Sequence, residues 1–162
     1  MNANDMQSNF QFCGFRILRF NMSNDFVNLP SEDELSETPI QSTNVKYEIV
    51  SIEKKEGYHV GILRLHINTA AAATDGNTEQ ENKLDADLWI EGCYILIGDL
   101  PDEDIQKFLI INGSASLYSI ARSFIAGVTA QSMNSGSLML PMISTYALYA
   151  AEDPDEVVDK FE

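Results

Sequence analysis

The stretch SASLYSIARSFIAGVTAQSMNSGSLMLP, residues 114–141, decides the fold of this chain. Its apolar side chains recur at steps of three and four residues: Leu117, Ile120, Ala121, Phe124, Ile125 and Val128. This spacing predicts an amphipathic helix whose apolar stripe packs on another element, with Ser114 or Ser116 as the N-cap.

An apolar arm follows this helix. Residues 134–136, Asn-Ser-Gly, favour a turn, and the apolar run 138–140 comes next, before Pro141 ends it. Such a run is typical of core packing. The alternative is a surface for changing apolar partners, because flexible side chains recur along the arm: Met133, Met139 and Met142.

The region before the helix has the residue types of strands, in runs over 10–22, 45–52, 58–69 and 84–97. In the first run, alternation places Phe10 and Phe12 on one face and Phe15 and Ile17 on the other, and Gly14 favours a bulge. Residues 28–41 and 70–83 are polar or rich in small side chains, which predicts surface connections.

Helix signals return after the strands. Pro101, followed by three acidic residues, predicts a short helix to about Ile111, which Asn112 and Gly113 end. Residues 145–151 predict about two further turns. The order of elements predicts an α+β fold with helices packed on one face of an antiparallel sheet.

Charge and composition exclude several classes of function. With 10 Lys and Arg against 25 Asp and Glu, the net charge is -15, so nucleic acids and anionic membranes are repelled. Only two cysteines are present, without metal-ligand or disulfide-framework spacing. No signal peptide or segment of membrane-spanning length is evident, which predicts a cytoplasmic protein without membrane insertion.

No arrangement of catalytic residues is visible, so we expect neither an enzyme nor a bound cofactor or metal. The only histidines, His59 and His66, are seven residues apart on a predicted strand and therefore face opposite sides. One strand face does carry a group suited to docking a protein partner, since it combines acids with a large aromatic ring: Asp85, Asp87, Trp89 and Glu91.

Several short motifs resemble SecB, the export chaperone of the bacterial cytoplasm. Residues 117–122, Leu-Tyr-Ser-Ile-Ala-Arg, resemble the opening of its long helix, and 137–141, Ser-Leu-Met-Leu-Pro, resemble the extended arm that follows. Residues 10–12 resemble its first strand, and 87–92, Asp-Leu-Trp-Ile-Glu-Gly, its acidic, Gly-ended strand. The likeness in element order spans about 10–148.

This resemblance implies a four-stranded antiparallel sheet with helices on one face, in a chaperone domain over 1–153. The acidic residues that follow predict a C-terminal tail at 154–162. The implied activity is ATP-independent holding of nonnative polypeptides for the Sec pathway, in a homo-oligomer that is a dimer or a dimer of dimers. By the same resemblance, clients are held by the arm and its supporting helix: Tyr118, Phe124, Leu138, Met139, Leu140 and Met142.

Partner docking is implied at Asp87, which matches an acid that contacts the Sec motor ATPase, whereas Asn21 stands where the family has an acid on its first strand. Two alternatives stay open. One is a SecB-like chaperone dedicated to one client, such as an antitoxin. The other is a non-enzymatic interaction protein that binds a folded partner through the acidic sheet face.

Overall fold

The fold combines a long-stranded sheet with a set of helices that follow it in the chain. A computed structural model describes residues 9–25, 40–74, 81–132 and 137–150. The strands are β1 (Phe10–Asn24), β2 (Ile40–Lys55), β3 (Tyr58–Thr74) and β4 (Glu81–Ile97). The helical elements are α1 (Asp102–Phe108), a π-helical turn (Leu109–Gly113), α2 (Ser114–Ser132) and α3 (Thr145–Ala150). The α+β prediction is confirmed.

The four strands pair antiparallel in the order β1-β4-β3-β2. One face, here called the helix face, is fully apolar in its centre: Leu63, Leu65 and Ile67 of β3 with Leu88 and Ile90 of β4. The opposite face, here called the open face, carries the intervening polar side chains of the same strands. His59 and His66 lie on opposite faces, as predicted, because their cross-strand neighbours are Leu96 and Trp89.

The first strand differs from simple alternation because it contains two bulges. Register shifts between Phe12 and Gly14 and between Ile17 and Arg19 each place an extra residue in β1. The first shift confirms the bulge predicted at Gly14. It also corrects the predicted faces, since Phe15 opposes Gly92 and Ile17 opposes Ile90 on the helix face, the same side as Phe10 and Phe12.

The strands are also longer than the residue pattern predicts. Residues 70–74 and 81–83, expected in a connection, belong to the ends of β3 and β4, where 72–74 pair with 81–83, and β2 already begins at Ile40. Alanine has low strand propensity, but pairing with neighbouring strands outweighs it here. Several predicted features lie outside the described residues: the connection over 28–39, residues 75–80 of the next connection, Met133 with the turn at 134–136, and the acidic tail 154–162.

The helices form one unbroken stretch from Asp102 to Ser132. The predicted start after Pro101 is confirmed, with three acidic residues in the first turn of α1. The predicted break at Asn112 and Gly113 is wrong, because the chain passes through a π-helical turn there. No N-cap at Ser114 or Ser116 is therefore required.

The stretch Asp102–Ser132 has 31 residues and is long and apolar enough, by length and composition alone, to cross a membrane. This corrects the expectation that no segment reaches that length. In this fold its apolar side chains pack on the helix face instead, as the buried positions of α2 show: Leu117, Tyr118, Ala121, Ile125 and Thr129.

Glycines allow this helix to approach the sheet closely. A Cβ on Gly92 of β4 would lie 2.9 Å from Leu117 Cδ2 and 2.8 Å from the hydroxyl oxygen of Tyr94. A Cβ on Gly113 would lie 2.9 Å from Leu63 Cδ2. The fully buried Tyr94 donates its hydroxyl to the Gly113 carbonyl at 2.9 Å, and burial raises its pKa to about 12. The helix and the sheet are therefore joined at the π-helical turn.

We predict that Gly92→Ala destabilises the protein by about 1–3 kcal/mol, because the added methyl group overpacks the contact between β4 and α2. The matched control is Gly127→Ala in α2, where a Cβ meets nothing within 4 Å. That change should stabilise by about 0.5–1 kcal/mol through helix propensity. Urea denaturation measures both free energies, and equal values for the two variants would contradict the described packing.

Candidate functional site

Residues 137–144 form an extended arm between α2 and α3. Two side chains of α2 hold its backbone on the helix face. Arg122 Nε donates to the Leu140 carbonyl at 2.9 Å, and the Tyr118 hydroxyl donates to the Pro141 carbonyl at 2.8 Å. These two hydrogen bonds hold the arm through its main-chain carbonyls.

The start of the arm is held from two further directions. The Leu138 amide donates to Thr129 Oγ1 near the end of α2 at 2.9 Å. From β2, Gln41 Nε2 donates to the Met139 carbonyl at 3.2 Å. The arm therefore connects the end of the long helix to an edge strand of the described sheet.

Burial divides the predicted binding residues of the arm into two groups. Leu140 is completely buried in the core, and the half-buried Leu138 packs on Leu84 and Ala86 of β4. Met139 and Met142 instead remain 55% and 80% exposed. The arm thus contributes to the closed core with its leucines and presents its methionines to solvent.

The two helix residues predicted to support the arm have different surroundings. Tyr118 is buried and contacts the arm directly through its hydroxyl, and burial raises its pKa. Phe124 is half-buried and packs edge-on against Phe20 of β1, with ring centroids 5.0 Å apart. Tyr118 therefore positions the arm, whereas Phe124 joins α2 to β1.

A second apolar surface lies at the other end of the helix face, where β1 meets the helices. A cleft of about 380 Å³ opens there. Its apolar lining residues are Phe10, Phe12, Leu96, Leu100 and Phe108, and its polar lining residues are Asn9, Asn112 and Ser116. Phe12 and the nearby Phe15 are 42% and 50% exposed. The sequence pattern did not predict this cleft, although the phenylalanines of the first strand were a signal for it.

Ion pairs cross the open face from strand to strand. Glu91 of β4, whose side chain is only 6% exposed, accepts from Arg16 of β1 at 2.7 Å and from Arg64 of β3 at 2.9 Å. Burial is the largest effect on the Glu91 carboxyl and raises its pKa, but the two guanidinium groups together outweigh it. The net pKa of Glu91 is therefore below its ordinary value, and Glu91 is ionised at neutral pH.

A neighbouring group on the open face is built around Asp87. Its carboxylate is 2.7 Å from His66 Nε2 and 2.7 Å from Arg19 Nη2, and these hydrogen bonds lower its pKa, with His66 the larger cause. Trp89 lies between the same two partners: the His66 ring stacks on it at 4.2 Å, and the Arg19 guanidinium lies 5.6 Å from its centroid.

These contacts determine how much of the predicted docking patch is accessible. Asp85 is exposed, Asp87 and Trp89 are half-buried, and Glu91 is buried. The patch is not a surface of uncompensated acid, because arginines from β1 and β3 pair with its two inner carboxylates. Alternation along β4 predicted that these acids share a face, but the cations across from them depend on strand register.

Within the described ranges, no group of three or more His, Cys, Asp or Glu side chains is placed to hold a metal ion.

Comparison with known proteins gives a fold likeness and no family. No family model matches the chain, and no curated protein sequence matches it. Among solved structures, a protein of unknown function from Streptococcus agalactiae is 14% identical, with a TM-score of 0.52, and the match covers 82% of this chain and 97% of that one. The architecture thus recurs in another protein.

A SecB-like chaperone from Mycobacterium tuberculosis, solved in complex with a ChAD peptide from the HigA1 antitoxin, is also similar to this chain. It is 15% identical, with a TM-score of 0.49, and the match covers 83% of this chain and 91% of that chain.

We predict that Glu91→Gln destabilises the protein by about 1.5–3 kcal/mol at pH 7, because the ion pairs to Arg16 and Arg64 are weakened around a buried group. Because the pKa of Glu91 is lower in the folded protein than its ordinary value of 4.5, the ionised carboxylate stabilises the folded state above about pH 4.5. This stabilisation is lost as the pH falls through the folded-state pKa. The difference between wild type and variant should therefore shrink below about pH 4.5.

The control is Glu48→Gln, which removes the other acid paired with Arg64. Because the Glu48 side chain is 59% exposed, this change should shift stability by no more than about 0.5 kcal/mol. Thermal unfolding at a series of pH values measures both variants. A Glu91→Gln deficit that stays constant down to pH 3 would contradict the assigned pKa direction.

Proposed function

We propose that this protein is a SecB-like chaperone that holds nonnative polypeptides without ATP and catalyses no reaction. The observation that carries the proposal is the exposure of Met139 and Met142 on an arm whose backbone is fixed by Arg122 and Tyr118. Exposed apolar surface is unfavourable at about 25 cal/mol per Å², and methionine adapts to irregular partners. A surface of this kind suits clients that share no sequence.

The edge strand β2 offers a complementary part of the site. Val45, Tyr47 and Ile49 are half-buried on the helix face of this strand, and Gln41 of the same strand contacts the arm. Extended polypeptide binds well beside an edge strand, since main-chain hydrogen bonds supply affinity independent of sequence and side-chain sites supply selectivity. We therefore assign client binding to the arm methionines and the adjoining helix face of β2.

The sequence likeness supports the same assignment. The motifs at 87–92, 117–122 and 137–141 resemble SecB in the same order, and they fall on β4, α2 and the arm. The phenylalanine cleft beside β1 adds apolar surface on the same face of the sheet. Together these features favour a binding protein over an enzyme.

Two forms of this chaperone function differ in the range of clients and in the partners. A general holdase of the cytoplasm would deliver its clients to the Sec motor ATPase as a dimer or dimer of dimers. A chaperone dedicated to one client, such as an antitoxin, would bind that client tightly and others weakly. Asn21, which opposes Asp87 across β1 and β4, lacks the charge of the family's docking acid and so favours the dedicated form.

The second candidate function is docking of a folded partner through the open face. The observation that favours it is Asp85, an exposed carboxylate on the same face as Asp87 and Trp89. In this second function, charged and aromatic side chains of the open face supply the binding energy. In the chaperone function, apolar side chains of the helix face supply it.

We predict that the double change Met139→Ser with Met142→Ser weakens binding of an unfolded client roughly tenfold, the equivalent of losing about 1.4 kcal/mol. Stability should change by no more than about 0.5 kcal/mol, since both side chains are exposed. The measurement is suppression of client aggregation, with complex mass followed by light scattering in the absence of nucleotide.

The matched control for this test is Val50→Ser, which removes an apolar side chain of 39% exposure at the β2 bulge, away from the arm. It should leave client binding unchanged. Leu140 is unsuitable as a probe, because it is fully buried and its truncation would unfold the core. Wild-type protein that is folded yet forms no client complex would refute the chaperone proposal.

We predict that Asp85→Lys leaves client binding within about twofold of wild type, because the changed side chain lies on the open face and its new charge is screened over about 10 Å. If the second candidate were correct, the same variant would lose the partner captured from native cytoplasm, while the Met139 and Met142 variant would retain it. Pull-down with both variants separates the two functions.

A further inference from the structure

The two cysteines of the chain lie side by side across β1 and β4. The bulge between Phe12 and Gly14 makes Cys13 and Gly14 together oppose Cys93. Cys13 is exposed and Cys93 is half-buried, and Cys13 is close enough to be one of the groups that raise the pKa of Cys93. Their distance in sequence gave no sign of this pairing, which depends on the register of the two strands.

We propose that Cys13 and Cys93 form a redox-sensitive dithiol site, which a low-molecular-weight disulfide such as glutathione disulfide oxidises reversibly to a cross-strand disulfide. Directly opposed residues of antiparallel strands have Cα atoms about 4.5–5.5 Å apart, and disulfides span about 4.4–6.8 Å. Cys13 is the bulge residue next to Gly14, the Cα partner of Cys93, so the two cysteines are neighbours across the strands. The bond therefore requires side-chain rotation and no separation or shift of the strands.

The reaction balances as two exchanges. The Cys13 thiolate attacks the glutathione disulfide, which forms a mixed disulfide on Cys13 and releases one glutathione thiolate. The Cys93 thiolate then attacks the Cys13 sulfur, which forms the intrachain bond and releases the second glutathione. Both protein thiols are oxidised, one disulfide is reduced to two thiols, and the two protein protons end on the two glutathiones.

Exposure sets the order of these steps. Cys13 is exposed and reacts first, whereas burial and then the neighbouring Cys13 raise the pKa of Cys93, which makes Cys93 the less reactive thiol toward an external disulfide. An open cleft of about 420 Å³ borders Cys93 and Gly14 and gives a small disulfide room to approach. Oxidation then ties β1, the edge strand that bears Phe12 and Phe15, covalently to β4.

The experiment incubates reduced full-length protein with glutathione disulfide under native conditions, followed by alkylation of free thiols, intact mass and peptide mapping. The expected product is a monomer that has lost two hydrogen atoms, with Cys13 linked to Cys93 and full reversal by dithiothreitol. Its unfolding midpoint should rise by about 5 °C or more, because the link closes a long loop in the unfolded chain.

Single variants provide the controls. Cys93→Ser should retain a glutathione adduct on Cys13, and Cys13→Ser should react at least about tenfold more slowly because only the half-buried thiol remains. A wild-type product with glutathione on Cys13 and free Cys93, dimers linked through Cys13, or no reaction would each overturn the proposal. This test involves no client, so its outcome is independent of the proposed chaperone function.

Discussion

The structure depends on the close approach of one continuous helical stretch to the sheet at Gly92 and Gly113. Neither position has room for a side chain, since a methyl group would collide with Leu117 in one case and Leu63 in the other. Tyr94 fills the space between them. Its buried hydroxyl donates a hydrogen bond to the Gly113 carbonyl, so neither group is left without a partner. This packing sets where α2 lies on the sheet and hence where the arm after it begins.

From this position the helix leaves parts of the helix face for other segments to cover. The arm extends the core with Leu138 and Leu140, and its hydrogen bonds from Arg122 and Tyr118 keep it in place whether or not the methionines have partners. Leu138 and Leu140 of this short segment therefore pack in or against the core, whereas Met139 and Met142 are exposed.

On the open face, the inner carboxylates are paired with cationic side chains of the same chain. Arg16 and Arg64 neutralise Glu91, while Arg19 and His66 contact Asp87 and cover Trp89. Although the net charge is -15, this face presents paired charges, with Asp85 at its margin. Electrostatic attraction of a basic partner is correspondingly weaker here than the acids of β4 alone suggest, because each paired cation offsets a carboxylate.

The sequence by itself determined the features that depend on local pattern. Periodicity predicted the amphipathic α2, the alternating faces of β4 and the opposite orientation of the two histidines, and Pro101 predicted the start of α1. Only the tertiary structure decided the features made by distant residues: the pairing of Arg16 with Glu91, 75 positions away, the two bulges of β1, and the strand conformation of 70–74. The helix likewise continues through Asn112 and Gly113 because Gly113 packs on Leu63 of β3. Local pattern reports which side of an element is apolar, but register and contact between elements are set by packing across the whole fold.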